Sequence, residues 1–211
     1  MQGVGFCAIL PQDRFGPLLA RHPRNSAGRG SDVGEVRILL LRGVNVSGAH
    51  RLPMAAFRAM LGEIGLSRVA THIQSGNAVF HDPGLAGLEG RIDVALQARF
   101  GFSVALFVIG LEAYRAVMAA NPFRVAGAAD GAKVHVVFLA GPASGVDLAG
   151  LRDLARDGEE IALTDRALYL FTPGGYGRSM VAEKLSRYVK VPQTARNQRS
   201  AAAILALAEG V

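Results

Sequence analysis

Arg42 closes the apolar run Leu39-Leu40-Leu41, and the loop behind it carries Gly43, Asn45, Ser47 and Gly48. An arginine fork can hold a carboxylate or phosphate through two parallel hydrogen bonds, and glycines let backbone amides turn toward an anion. The pattern is neither G-x-G-x-x-G nor a Walker A loop, because Gly-Lys-Ser/Thr is absent. The competing reading is an Asn/Gly turn with Arg42 in a structural hydrogen bond. A second polar group, Gln74-Ser75-Gly76-Asn77, joins two strand-like runs. A two-residue turn at Ser75-Gly76 pairs Gln74 with Asn77. His72, Gln74, Asn77 and His81 then share one strand face: a ligand platform of amides and imidazoles, or a solvated sheet face. The other face, Val69, Thr71, Ile73, Ala78 and Phe80, reads as core.

A third group is TPGGYGRSM, Thr172 to Met180. Its glycines permit a nest of amides, Ser179 can cap the next helix, and Arg178 stands where a helix N-terminus attracts anions. Arg196 and Asn197 read as a second basic helix start. They meet the same ligand only if the last two helices pack together.

Catalytic chemistry has less support. No Gly-x-Ser-x-Gly elbow occurs, and no base can be assigned to Ser75 or Ser179. Asp153, Asp157, Glu159 and Glu160 read as a solvated cluster, and His135 as a structural histidine in a strand. Catalytic residues stay unassigned. With Cys7 the only cysteine, five scattered histidines and no His-Glu-x-x-His, neither a metal site nor a cofactor is expected.

These residues need a scaffold. The chain has 211 residues, half of them apolar, enough for a sizeable core. No apolar run approaches the ~20 residues of a membrane span. A soluble cytoplasmic protein is expected, and a lone cysteine fits a reducing compartment. The net charge is +6, and residues 172–211 hold six basic side chains against Glu183 and Glu209. That excess favours an anionic partner, unless it is only a solvated helix face.

Residues 1–35 read as a mobile, Gly- and Arg-containing extension. From Val36 the periodicity becomes regular. VRILLLR is apolar on both alternating sets, so it is a strand covered on both faces. Met54, Phe57, Leu61 and Ile64 follow at helical spacing after Pro53, then the RVATHI and NAVFH strands. A second helical stripe runs through Leu88, Ile92, Leu96 and Phe100, and SVALFVIG is a strand. A linking helix runs from Glu112 to Ala120. The second half reads strand KVHVVFLA, helix VDLAGLRDLAR, hairpin EEIALT and ALYLFT, helix MVAEKLSRYV, and a last helix SAAAILALAEG after Pro192. The expected class is α+β, two ferredoxin-like subdomains (36–121 as βαββαβ plus a linking helix, 122–211 as βαββα) with an extra C-terminal helix.

Leu41-Arg42-Gly43-Val44-Asn45-Val46, Ile73-Gln74-Ser75-Gly76-Asn77, Gly177-Arg178-Ser179 and Thr194-Ala195-Arg196-Asn197 occur in an order that resembles the bacterial domain of unknown function 1697 family, from about Val36 to the C-terminus. The resemblance implies two ferredoxin-like halves and no established activity. It also marks two departures. The family's usual lysine after Gly-Arg-Ser is Met180 here, and its usual tryptophan after Arg-Asn is Gln198. If those positions belong to a working site, the site here is altered.

Three functional readings follow. The first is a module for a small anionic ligand, with or without enzymatic activity on it, using Arg42, Asn45, Gln74, Ser75, Asn77, Arg178, Ser179, Arg196 and Asn197. The second is nucleic-acid binding through the basic C-terminal end. Its weakness is that VRILLLR offers no exposed aromatic for base stacking. The third is an interaction protein whose motifs are turns and caps. Oligomeric state is not legible. The deciding observation is whether the polar loops converge on one pocket.

Overall fold

A computed structural model describes residues 34–46 and 48–211. The expected extension at 1–35 falls almost wholly outside the described residues. The first half comprises β1 (Glu35–Leu41), α1 (Met54–Glu63), β2 (Ser67–His72), β3 (Asn77–Asp82), α2 (Leu88–Phe100), β4 (Leu106–Gly110) and α3 (Leu111–Ala119). A short α4 (Arg124–Ala129), not anticipated from sequence, leads to the second half. That half comprises β5 (Val134–Leu139), α5 (Leu148–Leu154), β6 (Glu160–Leu163), β7 (Ala167–Phe171), α6 (Met180–Tyr188), β8 (Gln193–Asn197) and α7 (Gln198–Glu209).

The strands form two four-stranded antiparallel sheets, ordered β2-β3-β1-β4 and β6-β7-β5-β8. Ile38 and Leu40 face one core and Leu39 and Leu41 another, so β1 is buried on both faces, as its unbroken apolar run predicts. One core holds Tyr114 of α3 and Ile204 of α7 between the sheets. A second packs α1 and α2, through Phe57 and Ile92, on the outer face of the first sheet. A third packs α5 and α6, through Leu151 and Leu185, on the outer face of the second. Full burial of each such side chain contributes ~1.5–3 kcal/mol. The result is five layers: helices, sheet, the α3/α7 pair, sheet, helices. Two buried phenols lock the middle layer. Tyr114 Oη donates to the Ala201 carbonyl at 3.1 Å and Tyr169 Oη to the Val117 carbonyl at 2.8 Å. Among the described residues, no helix is long and apolar enough to cross a membrane.

Two sequence expectations need correction. Residues 193–197 form a strand, not an approach to a helix, so Arg196 sits on β8 and only Asn197 starts the helix. QTARN carries no apolar alternation. Its strand form comes from pairing with β5, where Val136 lies opposite Arg196. The β2-β3 connection is also longer than two residues: His72, not Gln74, pairs with Asn77. Farther along β2, Arg68 at φ +49 lies within a one-residue register shift between Ser67 and Ala70. Val69, Ala78 and Phe80 do pack in the core of α1 and α2, but Ile73 is exposed in the turn.

Candidate functional site

A cleft of about 440 Å³ opens between the halves, along the free edge of β8. Its walls are the loop after β1, the β2-β3 turn, α6 and the start of α7. Arg42, Ser75, Arg196 and Asn197 line it. The expected open platform is not there: Asn77 and His81 are buried, because α7 and the second half cover that face of β3. Both ring nitrogens of His81 lack partners. Gln74 is exposed in the turn and does not line the cleft.

Arg196 is the centre of the junction. It is nine-tenths buried, with 9% exposure. Nε donates to Asn77 Oδ1 at 2.6 Å. Nη1 donates to Thr194 Oγ1 at 2.9 Å and the Ala195 carbonyl at 2.8 Å, and Nη2 to the carbonyls of Leu41 at 2.7 Å and Ser75 at 3.2 Å. All five guanidinium hydrogens therefore have acceptors, three of them in the first half. None of those acceptors is a carboxylate. Desolvation pulls the Arg196 pKa down to about 10, with the Tyr114 phenol opposing the fall. The group is thus a cation at neutral pH whose hydrogen bonds are satisfied and whose charge is not.

Asn77 completes the cluster. Its Nδ2 donates to the His72 carbonyl at 3.1 Å and to Ser75 Oγ at 2.9 Å, which fixes Oδ1 toward Arg196. Gly76 lets the turn come this close. Its φ is +70, and an added Cβ would lie 2.6 Å from Val44 Cγ2 and 2.8 Å from Leu41 Cβ.

Arg42 is exposed on the opposite wall, where Nη2 donates to Ser186 Oγ of α6 at 3.2 Å. Neither Arg42 nor Arg196 forms an ion pair among the described residues. Asn45, at φ +54, is a clamp for the loop. Its Nδ2 donates to the carbonyls of Leu52 and Gln74, and its Oδ1 accepts from the Leu52 amide. Ser47 lies outside the described residues.

The Gly-rich loop contributes differently from expectation. Ser179 does cap α6, accepting from the Ala182 amide at 3.1 Å. Arg178 is exposed and neither it nor Ser179 lines the cleft; Tyr176 does. Its ring stacks on His135 with centroids 3.8 Å apart. Burial raises the Tyr176 phenol pKa, opposed by Arg42. Burial also lowers the His135 pKa to about 4, so the imidazole is neutral at pH 7. Its Nδ1 is enclosed without a partner. The sequence reads His135 as a structural histidine and, in the loop around Tyr176, singles out the glycines, Arg178 and Ser179. The place of His135 beside the cleft depends on β8, where Asn197 lies opposite it, and that strand has no apolar period to announce it. Asn197 caps α7, accepting from the Ser200 amide at 2.8 Å, so a helix N-terminus also borders the cleft.

The departures from the family pattern lie elsewhere. Gln198 accepts from Asn121 Nδ2 at 2.9 Å and packs over Gly127 of α4. Neither it nor the exposed Met180 lines the cleft.

The two halves supply an internal comparison. Ile38 lies opposite Val79 and Ile109, and Val136 lies opposite Tyr169 and Arg196. Leu40 lies opposite Asn77, and Phe138 opposite Ala167. The amides of Leu41 and Arg42 bond to the carbonyls of Gly76 and Ala105, and those of Leu139 and Ala140 to Arg166 and Pro192. Ladder by ladder, Ile109 and Ala167 occupy the places of Arg196 and Asn77. A second cleft of about 350 Å³ accompanies them along the edge of β4. It has Leu106, Phe107, Ile109, Gly110, Ala113 and Ala140 where the first has Gln193, Thr194, Arg196, Asn197, Ser200 and Arg42. One frame is lined twice, once polar with cations and no carboxylate among the described residues, once mostly apolar with Arg166 and the carboxylate of Glu89.

A conserved bacterial protein from Streptococcus pneumoniae has a solved structure similar to this one, with a TM-score of 0.64 at 23% identity. The likeness covers 82% of this chain and 98% of that one, and at this identity it concerns the fold. No curated protein matches the chain. The profile of the family described as "Protein of unknown function (DUF1697)" matches residues 35–169, which includes the Arg-Gly-Val-Asn and Gln-Ser-Gly-Asn motifs and stops before Gly-Arg-Ser and Ala-Arg-Asn. Because that match spans well over half the chain, the protein belongs to this family.

Proposed function

We propose that this chain is a cytoplasmic module that binds a small oxyanion in the cleft between its halves. Arg42 is the direct ligand, and Arg196 with the N-terminus of α7 supplies the field. What carries the reading is that two guanidiniums share a cleft lined by no carboxylate among the described residues, while the equivalent cleft has Ala140 and Ile109 in their places. An unneutralised cation in a partly desolvated site attracts an anion more strongly than an arginine in open water. Binding is the part of this reading that the geometry supports, because no carboxylate lines the cleft among the described residues and His135, with a pKa of about 4, is a weak base.

Nucleic-acid binding by an open sheet has no counterpart in this geometry. Each sheet has one face in the central core and the other under its own helices.

Calorimetric titration with inorganic phosphate at low salt tests the proposal. Arg42→Ala should weaken binding about tenfold, the effect of losing one charge-assisted hydrogen bond. Arg178→Ala, at an exposed residue that does not line the cleft, should leave it unchanged. No heat of binding from phosphate, or equal effects of the two variants, would reject the assignment.

A further inference from the structure

The cleft that carries the cations also carries exposed apolar surface. Val46 is 58% exposed and Ile73 52% exposed, and both line this cleft beside Arg42. Ile73 is doubly out of place. A β-branched residue is an outlier at positive φ, yet Ile73 sits at φ +48 at the tip of a turn where Asn or Gly fits without strain. Nothing in the turn itself calls for isoleucine. The stacked rings of His135 and Tyr176 add a flat wall to the same space. At about 440 Å³ the cleft falls in the range of organic-ligand sites, far larger than an inorganic oxyanion requires.

We infer that the natural ligand is an organic anion: a phosphate or carboxylate group held at Arg42, joined to an apolar or aromatic portion that rests on Val46, Ile73 and Tyr176. The inference depends on the oxyanion reading above and specifies the rest of the molecule. Charge complementarity fixes one end of the ligand. The apolar residues flanking the cations fix the character of the other. With 52% of its surface still in water, Ile73 gains by being covered when such a ligand binds.

Phenyl phosphate and inorganic phosphate make the test, titrated against the full chain and against a Val46→Ser/Ile73→Asn double variant. Asparagine tolerates the positive φ at position 73, so the variant is expected to fold, and its circular dichroism and melting curve check this. Phenyl phosphate should bind the natural chain about tenfold or more tighter than inorganic phosphate, and the double variant should lose that preference while binding inorganic phosphate as before. Equal affinity for the two probes, or a preference that survives in the double variant, overturns this inference and leaves the oxyanion site standing. If neither probe binds, both readings fall.

Discussion

Removing Arg196 should loosen the junction between the halves, and the size of the effect follows from its partners. In Arg196→Ile, Asn77 Oδ1 and the carbonyls of Leu41 and Ser75 lose their donors. Stranding a buried acceptor costs ~1–3 kcal/mol. Against this, the variant no longer holds a charge out of water, and the neighbouring cleft lets solvent reach some of the freed groups. No charge is left unpaired by the change, so the stranded acceptors set the cost, and with part of it relieved by solvent we expect ~2–4 kcal/mol in all. That is a large share of the ~5–15 kcal/mol that holds a domain together. The chain has no tryptophan, so urea unfolding is best followed by far-ultraviolet circular dichroism, with an unchanged m-value as the check that only stability moved.

The equivalent position in the other half sharpens the test. Ile109 and Ala167 fill the same place without polar groups. Arg196→Ile combined with Asn77→Ala should therefore recover part of the loss, with a coupling of at least ~1.5 kcal/mol between the two sites. The repaired double variant should fold and still fail to bind phosphate. Additive single effects, or an Arg196→Ile cost below ~1 kcal/mol, would refute the junction; phosphate binding by the double variant would refute Arg196 as the source of the field.

Two further outcomes are expected. Gly76→Ala should destabilise the fold by ~2–4 kcal/mol in the same urea assay, since the new Cβ meets Leu41 Cβ at 2.8 Å at a residue with φ +70. His135 should make stability fall with acid. Its folded pKa of about 4 lies below the ordinary 6.5, so the unfolded chain takes up the proton first; stability is full above pH 6.5 and declines from there toward pH 4. Allowing for the part of the ring that water reaches, the decline is ~2 kcal/mol, and His135→Phe should flatten it in urea midpoints measured across that window.

The elements were legible wherever the apolar period was strong. Ile38 to Leu41 announced a strand covered on both faces, and Phe57 and Ile92 announced helices, which the structure places on its outer side. The order of β1 to β4 was readable for the same reason. The misreadings fall where tertiary contacts override local pattern. Gln193 to Asn197 has no strand period, yet the β5 edge pairs with it. The turn at Ile73 to Gly76 is two residues longer than expected, because a Ser-Gly-Asn run fits a short and a long connection equally well. Of the candidate residues, Arg42, Ser75, Arg196 and Asn197 line one cleft, and Asn77 stands just behind it. Asn45 and Ser179 are a loop clamp and a helix cap. Arg178 is exposed and Tyr176 lines the cleft instead, a distinction that residue types in a Gly-rich loop do not reveal.

Stability alone does not account for the polar cleft. An apolar pair at this junction is available to this backbone, because the chain uses it at Ile109 and Ala167. Replacing buried charged networks by well-packed apolar residues is often neutral or stabilising, so a junction repacked throughout as it is around Ile109 and Ala167 has no need of Arg196 and Asn77 for stability. To this are added a β-branched residue at positive φ, two large apolar side chains left in water, and an imidazole nitrogen enclosed without a partner. Each disfavours the free fold, and all of them lie on the cleft that holds Arg42. Its counterpart, with equivalent strands and equivalent backbone bonds, shows none of them among its lining residues. Local costs that gather on one of two equivalent surfaces argue that this surface is shaped by what it binds, since the frame they share cannot require them.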